Sequence, residues 1–247
     1  MTQVVDVDDA DTWPAEVTSY ADGWAQRLRR RTRAAPGDLA VPIEEADDFR
    51  RLFQGHLLRA IHCTRLLDHE RQWIVERGLR LASTELIEER IQGAFAVGAV
   101  TAVERDMLLS GHALAPHRRG QGSRKGQVCF IGSRAMLDRD PGGVVPLLST
   151  WGGEVIYMPL LRRDRAPLCS IGRPALVIGA LDVAAEPEPP RKHHCYPDLN
   201  KLFVAKRLGL TVGADIFYRS SLPRENVLGI EHPGDPGYDR HRGLPST

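Results

Sequence analysis

His62 and Thr64 stand two residues apart near the end of the mostly apolar strand Leu57 to Thr64, in the stretch Ala60-Ile61-His62-Cys63-Thr64-Arg65. Side chains alternate along a strand, so His62 and Thr64 leave one face while Cys63 turns to the other. Two hydrogen-bonding groups aimed together at a strand end can grip a ribose or another polar ligand edge. The alternative is a half-buried strand histidine satisfied by a backbone carbonyl. Glu154 is the second candidate. It follows Trp151-Gly152-Gly153 and leads into Val155-Ile156-Tyr157, where a charge is costly unless it is paired or used. An ion pair with an arginine such as Arg65 is its structural reading. The Cys63 thiol lacks a matching His-Asn pair and reads as a buried thiol rather than a nucleophile. His193-His194-Cys195, with His117 or Cys169 brought near, has no metal-ligand spacing around it, so no metal is expected.

The elements that must place these groups are legible from periodicity and caps. A helix is expected from Trp13 to Arg33, with Val17, Tyr20, Trp24 and Leu28 on one face, and another near Ile43 to Gln54. The strand from Leu57 to Thr64 follows, then a helix capped by Asp68 and closed by Gly78. Ser83 to Val97 reads as a helix, and Thr101 with Glu104 forms a capping box for the next. His117 to Lys125 is a basic loop, Gln127 to Ile131 a short strand, and Val144 to Trp151 a short helix. Strands are expected over Glu154 to Leu161 and Pro174 to Val183, then a helix from Asp198 to Arg207. Gly213 to Tyr218 and Asn226 to Glu231 read as the last two strands. Residues 1–11 read as a frayed acidic end, and everything after Pro233 as tail.

Helices dominate the first half and strands the second, which predicts an α+β fold with one mixed, mainly antiparallel sheet. No Gly-x-Gly-x-x-Gly or phosphate-cradling Gly-Lys-Ser/Thr run is present, which argues against a Rossmann or P-loop protein. With 33 Lys+Arg against 32 Asp+Glu the net charge is +1, so global charge does not select a nucleic-acid partner. The basic runs Arg27 to Arg33 and Arg118 to Lys125 could still touch phosphates, or be solvated ends and loops. The acidic N-terminus, the want of a membrane-length apolar run and the four scattered cysteines lead to the expectation of a soluble, cytoplasmic protein with no membrane partner.

In this order the segments resemble the ADP-ribosyltransferase fold of diphtheria toxin, the poly-ADP-ribose polymerases and the DarT-type toxins. His62-Cys63-Thr64 with its helix and Gly78-Leu79 is similar to that family's opening His-x-Ser/Thr strand and following helix. Gly126-Gln127-Val128-Cys129-Phe130 and the helix to Trp151 resemble its glycine-led aromatic strand and aromatic-bearing helix. Gly213 to Tyr218, Leu222-Pro223 and Asn226 to Ile230 look like its last strand pair.

The resemblance implies cleavage of the nicotinamide–ribose bond of NAD, with NAD as substrate, and either transfer of ADP-ribose to a macromolecular acceptor, protein or nucleic acid, or simple hydrolysis of NAD as in an NAD glycohydrolase. It implies that His62 hydrogen-bonds the adenosine ribose and that Thr64 supports the histidine or the same sugar. Cys63 stands where the family has a glycine whose backbone grips nicotinamide, and Phe130 and Trp151 would be ring platforms. Arg65 would meet the pyrophosphate or a carboxylate. Asp215 matches the family's acidic position, where glutamate is usual, and Glu154 is the rival catalytic carboxylate. A non-catalytic nucleotide- or nucleic-acid-binding module on the same scaffold is the alternative. The implied organisation is a helical extension over 1–56, the ADP-ribosyltransferase-like domain over 57–232 and a tail over 233–247.

Overall fold

The computed structural model describes residues 2–30, 49–115, 124–139, 141–186 and 196–246, and these fold as α+β. The chain runs β1 (Gln3–Val5), α1 (Ala15–Arg30), β2 (His56–Leu66), α2 (Asp68–Arg77), α3 (Thr84–Ala96), α4 (Ala102–Gly111) and β3 (Val128–Ile131). It continues through α5 (Ala135–Arg139), α6 (Pro141–Ser149), α7 (Gly153–Tyr157), α8 (Arg162–Arg165) and β4 (Arg173–Leu181). α9 (Tyr196–Arg207), β5 (Asp215–Tyr218), β6 (Val227–Glu231) and α10 (Pro236–Asp239) complete it. The strands form one mixed, mainly antiparallel sheet in the order β5-β3-β2-β4-β6, with β1 added to β2. β1 pairs parallel to β2 from Gln3 opposite His56, and β2 pairs antiparallel to β3 at Ile61 opposite Ile131.

Two units share the chain. One comprises Met1–Ile61, Cys129–Arg139 and Gly179–Tyr218; the other comprises His62–Val128, Asp140–Ile178 and Arg219–Thr247. This division differs from the expected extension, domain and tail, because both chain ends belong to units built from distant segments.

The first unit has an aromatic core. Trp13 and Phe203 meet edge to face at 4.8 Å, and Phe49 lies 5.5 Å from Phe53 and 5.3 Å from Phe203. Trp24 of α1 packs on Val204 and Ala205 of α9. The N-terminus is not frayed: Val5 and Val7 are buried, and β1 is held by its pairing with β2. The acidic residues behind β1 are fixed rather than solvated. Asp8 accepts from the Ser133 hydroxyl at 2.8 Å and the Arg134 backbone N–H at 2.7 Å, and Arg134 Nη2 lies 2.9 Å from Asp6. Repulsion within an acidic segment is thereby exchanged for charge-assisted hydrogen bonds.

In the second unit α3, α4 and α7 enclose Ile87, Ile91, Leu108, Trp151 and Ile156. The local signals act as expected in α4: Thr101 N–H donates to Glu104 at 2.7 Å and Glu104 N–H to Thr101 Oγ1 at 3.2 Å. Ser83 caps α3 through the Leu86 N–H. The expected cap Asp68 is instead the first residue of α2, with Leu67 at the cap position, and the helix ends at Gly78, whose φ of +83° excludes most side chains. A Cβ there would also sit 1.9 Å from the Leu222 carbonyl oxygen, where Leu79 and Leu222 exchange two 2.9 Å hydrogen bonds.

Two expected elements are corrected. Residues 154–161 are not a strand; their first part is the helix α7, entered through Gly152 at φ +94° and Gly153 at φ +65°. Left-handed glycines turn the chain there, and burial of Val155, Ile156 and Tyr157 overrides their β preference. The C-terminal segment is not a loose tail: it contains α10, Tyr238 is 2% exposed, and its hydroxyl donates to the Pro245 carbonyl at 2.7 Å.

Candidate functional site

The second half of β2 departs from the alternation of a half-solvated strand. Cys63, Thr64, Arg65 and Leu66 are all buried, while His62 keeps partial exposure. Burial pushes the Cys63 thiol from an ordinary 9.0 up to about 12, so it stays protonated and is no nucleophile. Thr64 turns its hydroxyl toward the Arg65 carbonyl at 3.4 Å rather than presenting it to solvent.

Arg65 brings a full charge into this strand end, at 3% exposure. Its Nε donates to the Ile171 carbonyl at 2.9 Å, Nη1 to Leu148 at 3.2 Å and Nη2 to Gly172 at 2.7 Å. The planar fork of donors matches three carbonyls that no secondary structure serves. Gly172 is tight for the same reason: a Cβ would lie 2.6 Å from the Leu66 carbonyl oxygen. The end of β2 is thus tied to the end of α6 and to the approach of β4.

A second buried charge lies one helical turn further on. Glu70 Oε2 accepts from the Leu67 N–H and from the Trp151 indole N–H, each at 2.9 Å. Arg90 Nε donates to Glu70 Oε1 at 2.6 Å, and its guanidinium stands 5.3 Å from the Trp151 ring centre. Carboxylate, indole and guanidinium join α2, α3 and the turn after α6. Trp151 is wholly buried.

Three residues beyond Trp151 is Glu154, in the first turn of α7. Arg124 Nε and Nη2 both reach its Oε2, at 2.7 and 2.6 Å, and each side chain is about a third exposed. The other carboxylate oxygen, Oε1, has no hydrogen bond among the described residues. A carboxylate held by one oxygen and open at the other can stabilise positive charge on a bound molecule or accept a proton from it. Tyr157, one turn on, is kept protonated by burial and then by the Glu154 charge, which raise it from 10.0 to about 12.

The expected residues therefore divide. His62, Cys63, Thr64, Arg65, Trp151 and Glu154 belong to the second unit, and Phe130 and Asp215 to the first. Trp151 and Phe130 offer no ring platform: the first is sealed in the core, and the second is 2% exposed against Tyr218 at 6.1 Å. Arg65 is a backbone staple, and the arginine that pairs with Glu154 is Arg124. Asp215 opens β5 as an exposed residue. Cys169 is exposed, against the expectation of buried thiols. His117, His193, His194 and Cys195 lie outside the described residues, as do Arg118, Arg119 and residues 31–48. Among the described residues no group of three or more His, Cys, Asp or Glu could hold a metal, and no helix is long and apolar enough to cross a membrane.

Glu70 and Arg124 are the participants that sequence reasoning missed. Glu70 reads locally as a helix-dipole residue, yet a buried indole N–H requires an acceptor, and that demand was the available signal. No family model matches the chain, and no curated protein or solved structure matches it either.

Proposed function

We propose that the chain is an ADP-ribosyltransferase-like enzyme that cleaves the nicotinamide–ribose bond of NAD and passes ADP-ribose to a macromolecule. The supporting observation is the half-engaged Glu154 carboxylate, whose turn is fastened through Trp151 to α2 and through Leu148 to Arg65, three residues from His62. Departure of nicotinamide leaves positive charge on the ribose, and an oriented anion lowers the energy of that state. In this reading Glu154 Oε1 faces the ribose, Arg124 holds Oε2, and His62 hydrogen-bonds the cofactor's sugar. The buried Cys63, Thr64 and Arg65 shape the strand end rather than contact the ligand.

The test is nicotinamide release from NAD by the full chain, alongside Glu154→Gln, His62→Ala and Asp215→Asn. Glu154→Gln is expected to lower kcat by about 10²–10³-fold. His62→Ala should act mainly on KM, and Asp215→Asn should leave the rate within about twofold. A large loss in Asp215→Asn with full activity in Glu154→Gln would move the catalytic role to Asp215. NAD binding without nicotinamide release would favour a non-catalytic nucleotide-binding module. No release and no thermal shift with NAD would overturn the reading.

A further inference from the structure

Glu70, at 3% exposure in the core of the second unit, is a buried carboxylate that the proposed chemistry does not use. Burying a carboxylate is expensive, and an apolar residue would serve α2 as well if only packing were needed. Glu70 instead spends both oxygens on three donors from separate segments: Leu67 N–H, Arg90 Nε and Trp151 Nε1. The Leu67 bond fixes the carboxylate to the first turn of α2, immediately after β2. The Arg90 bond fixes it to α3. The Trp151 bond is the only one of the three that reaches the segment carrying Glu154. Between Trp151 and Glu154 stand two glycines at positive φ, a linkage that does not hold its own geometry. The position of the Glu154 carboxylate is therefore set by Arg124 and by the anchors of its turn: the indole that Glu70 holds, the Trp151 N–H on the Leu168 carbonyl at 3.1 Å and the Ala113 N–H on the Val155 carbonyl at 2.8 Å.

We propose that Glu70 is a positioning residue for the candidate site: through Trp151 it sets where α7 places Glu154 relative to the strand bearing His62. The inference rests on the NAD-cleaving reading for its catalytic consequence, but the clamp itself is a property of the fold. It acts on the placement of a charge that matters only in the transition state, so its loss should lower kcat and leave KM alone.

Two conservative variants isolate the clamp. Glu70→Gln keeps the size of the side chain and an acceptor oxygen but removes the charge that holds Arg90 and the indole together. Trp151→Phe removes the N–H donor and keeps an aromatic ring in the core. Both are measured in the full chain by NAD kinetics and by amide hydrogen exchange read by mass spectrometry. Each variant is expected to reduce kcat by about ten- to a hundredfold with KM unchanged, and the double variant to be no worse than the poorer single one. Exchange over residues 150–157 should rise about tenfold or more in both, while peptides from β2 and α4 stay protected.

Exchange at 150–157 unchanged in both variants overturns the proposal, whatever the kinetics. Equal loss of protection across the whole second unit also overturns it, because Glu70 would then be a general stability residue. If the wild-type chain neither binds nor cleaves NAD, the functional reading falls while a selective rise in exchange still upholds the clamp. Should Glu70→Gln fail to fold, Trp151→Phe carries the same exchange and kinetic criteria alone.

Discussion

The two units of this chain spend their interiors differently. The first unit packs rings: Trp13, Phe49, Phe53 and Phe203 meet at centroid distances of 4.8 to 5.7 Å, and its ion pairs among Asp6, Asp8 and Arg134 stand at a partly exposed rim, with Glu186 as a buried carboxylate at 3% exposure. The second unit holds hydrogen-bonded charges inside, with Arg65 and Glu70 each 3% exposed. Rings give non-directional stabilisation that tolerates small displacements. A buried guanidinium or carboxylate repays its desolvation only when every partner is in place, so it fixes geometry more sharply than it adds stability. The unit that holds Arg65 and Glu70 in this way is also the one that carries His62 and Glu154, where an error of an ångström would matter most.

Removing the Arg65 charge should break this contrast most severely. Arg65→Met retains much of the packing volume but leaves the carbonyls of Leu148, Ile171 and Gly172 without their donor. Each orphaned buried acceptor costs about 1–3 kcal/mol, and a loss of about 4–5 kcal/mol is expected in urea unfolding. Loss of less than about 1 kcal/mol would mean that water or relaxed backbone serves these carbonyls as well as arginine does.

High pH should weaken both interiors, through groups that burial keeps protonated. Burial raises the Cys63 thiol from 9.0 to about 12 and, with Glu154, raises Tyr157 from 10.0 to about 12. Tyr238 is pushed up too, chiefly by burial. In the first unit Tyr218 rises from 10.0 to about 12, first through burial and then through Glu186. The unfolded chain loses these protons at the ordinary values while the folded chain retains them. Stability is therefore unaffected by these groups below pH 9 and falls as pH climbs from 9 toward 12. Equilibrium unfolding at successive pH values reads this out. A thiol reagent offers a local check, since Cys169 should react in the folded chain and Cys63 only on unfolding.

Substitution in the aromatic core of the other unit should be milder. Phe203→Leu keeps an apolar side chain among rings that can settle around it, and about 1–2 kcal/mol is expected by thermal or urea unfolding. A cost matching that of Arg65→Met would remove the distinction between the two interiors.

What could be read from the sequence follows the range of the interactions involved. The Thr101–Glu104 box, the Gly78 stop and the apolar run of β4 are written within a few residues, and each forms as expected. α7 was misread because Val155-Ile156-Tyr157 favours a strand until the left-handed Gly152 and Gly153 and the surrounding core are known. The N-terminal acids read as frayed because Ser133 and Arg134, which hold Asp8, lie 125 and 126 residues away. The same is true of the site. His62 and Glu154 carry recognisable local chemistry, but Arg65 serves carbonyls 83 to 107 residues distant, and Glu70 meets Trp151 across 81. Pattern reading can nominate a group with chemical potential; it cannot say which partner long-range folding will hand to it.

The smallest effect should come from the rim of the first unit, and it separates the two kinds of charge most cleanly. Asp8→Asn keeps one oxygen to accept from the Arg134 N–H and turns its amide N–H to the Ser133 hydroxyl oxygen, which accepts in its place, so the main loss is the attraction to the Arg134 guanidinium at 3.4 Å and to Lys206 at 4.0 Å. Partly exposed pairs of this kind are worth about 0.5–1 kcal/mol. At 1 M salt the screening length contracts to about 3 Å, and the difference between wild type and Asp8→Asn should shrink toward zero. The Arg65→Met deficit should persist under the same salt, because its hydrogen bonds to buried carbonyls are not reached by counterions. Unfolding both variants at low and high ionic strength makes the comparison, and an Asp8→Asn cost that ignores salt would place Asp8 with the buried charges after all.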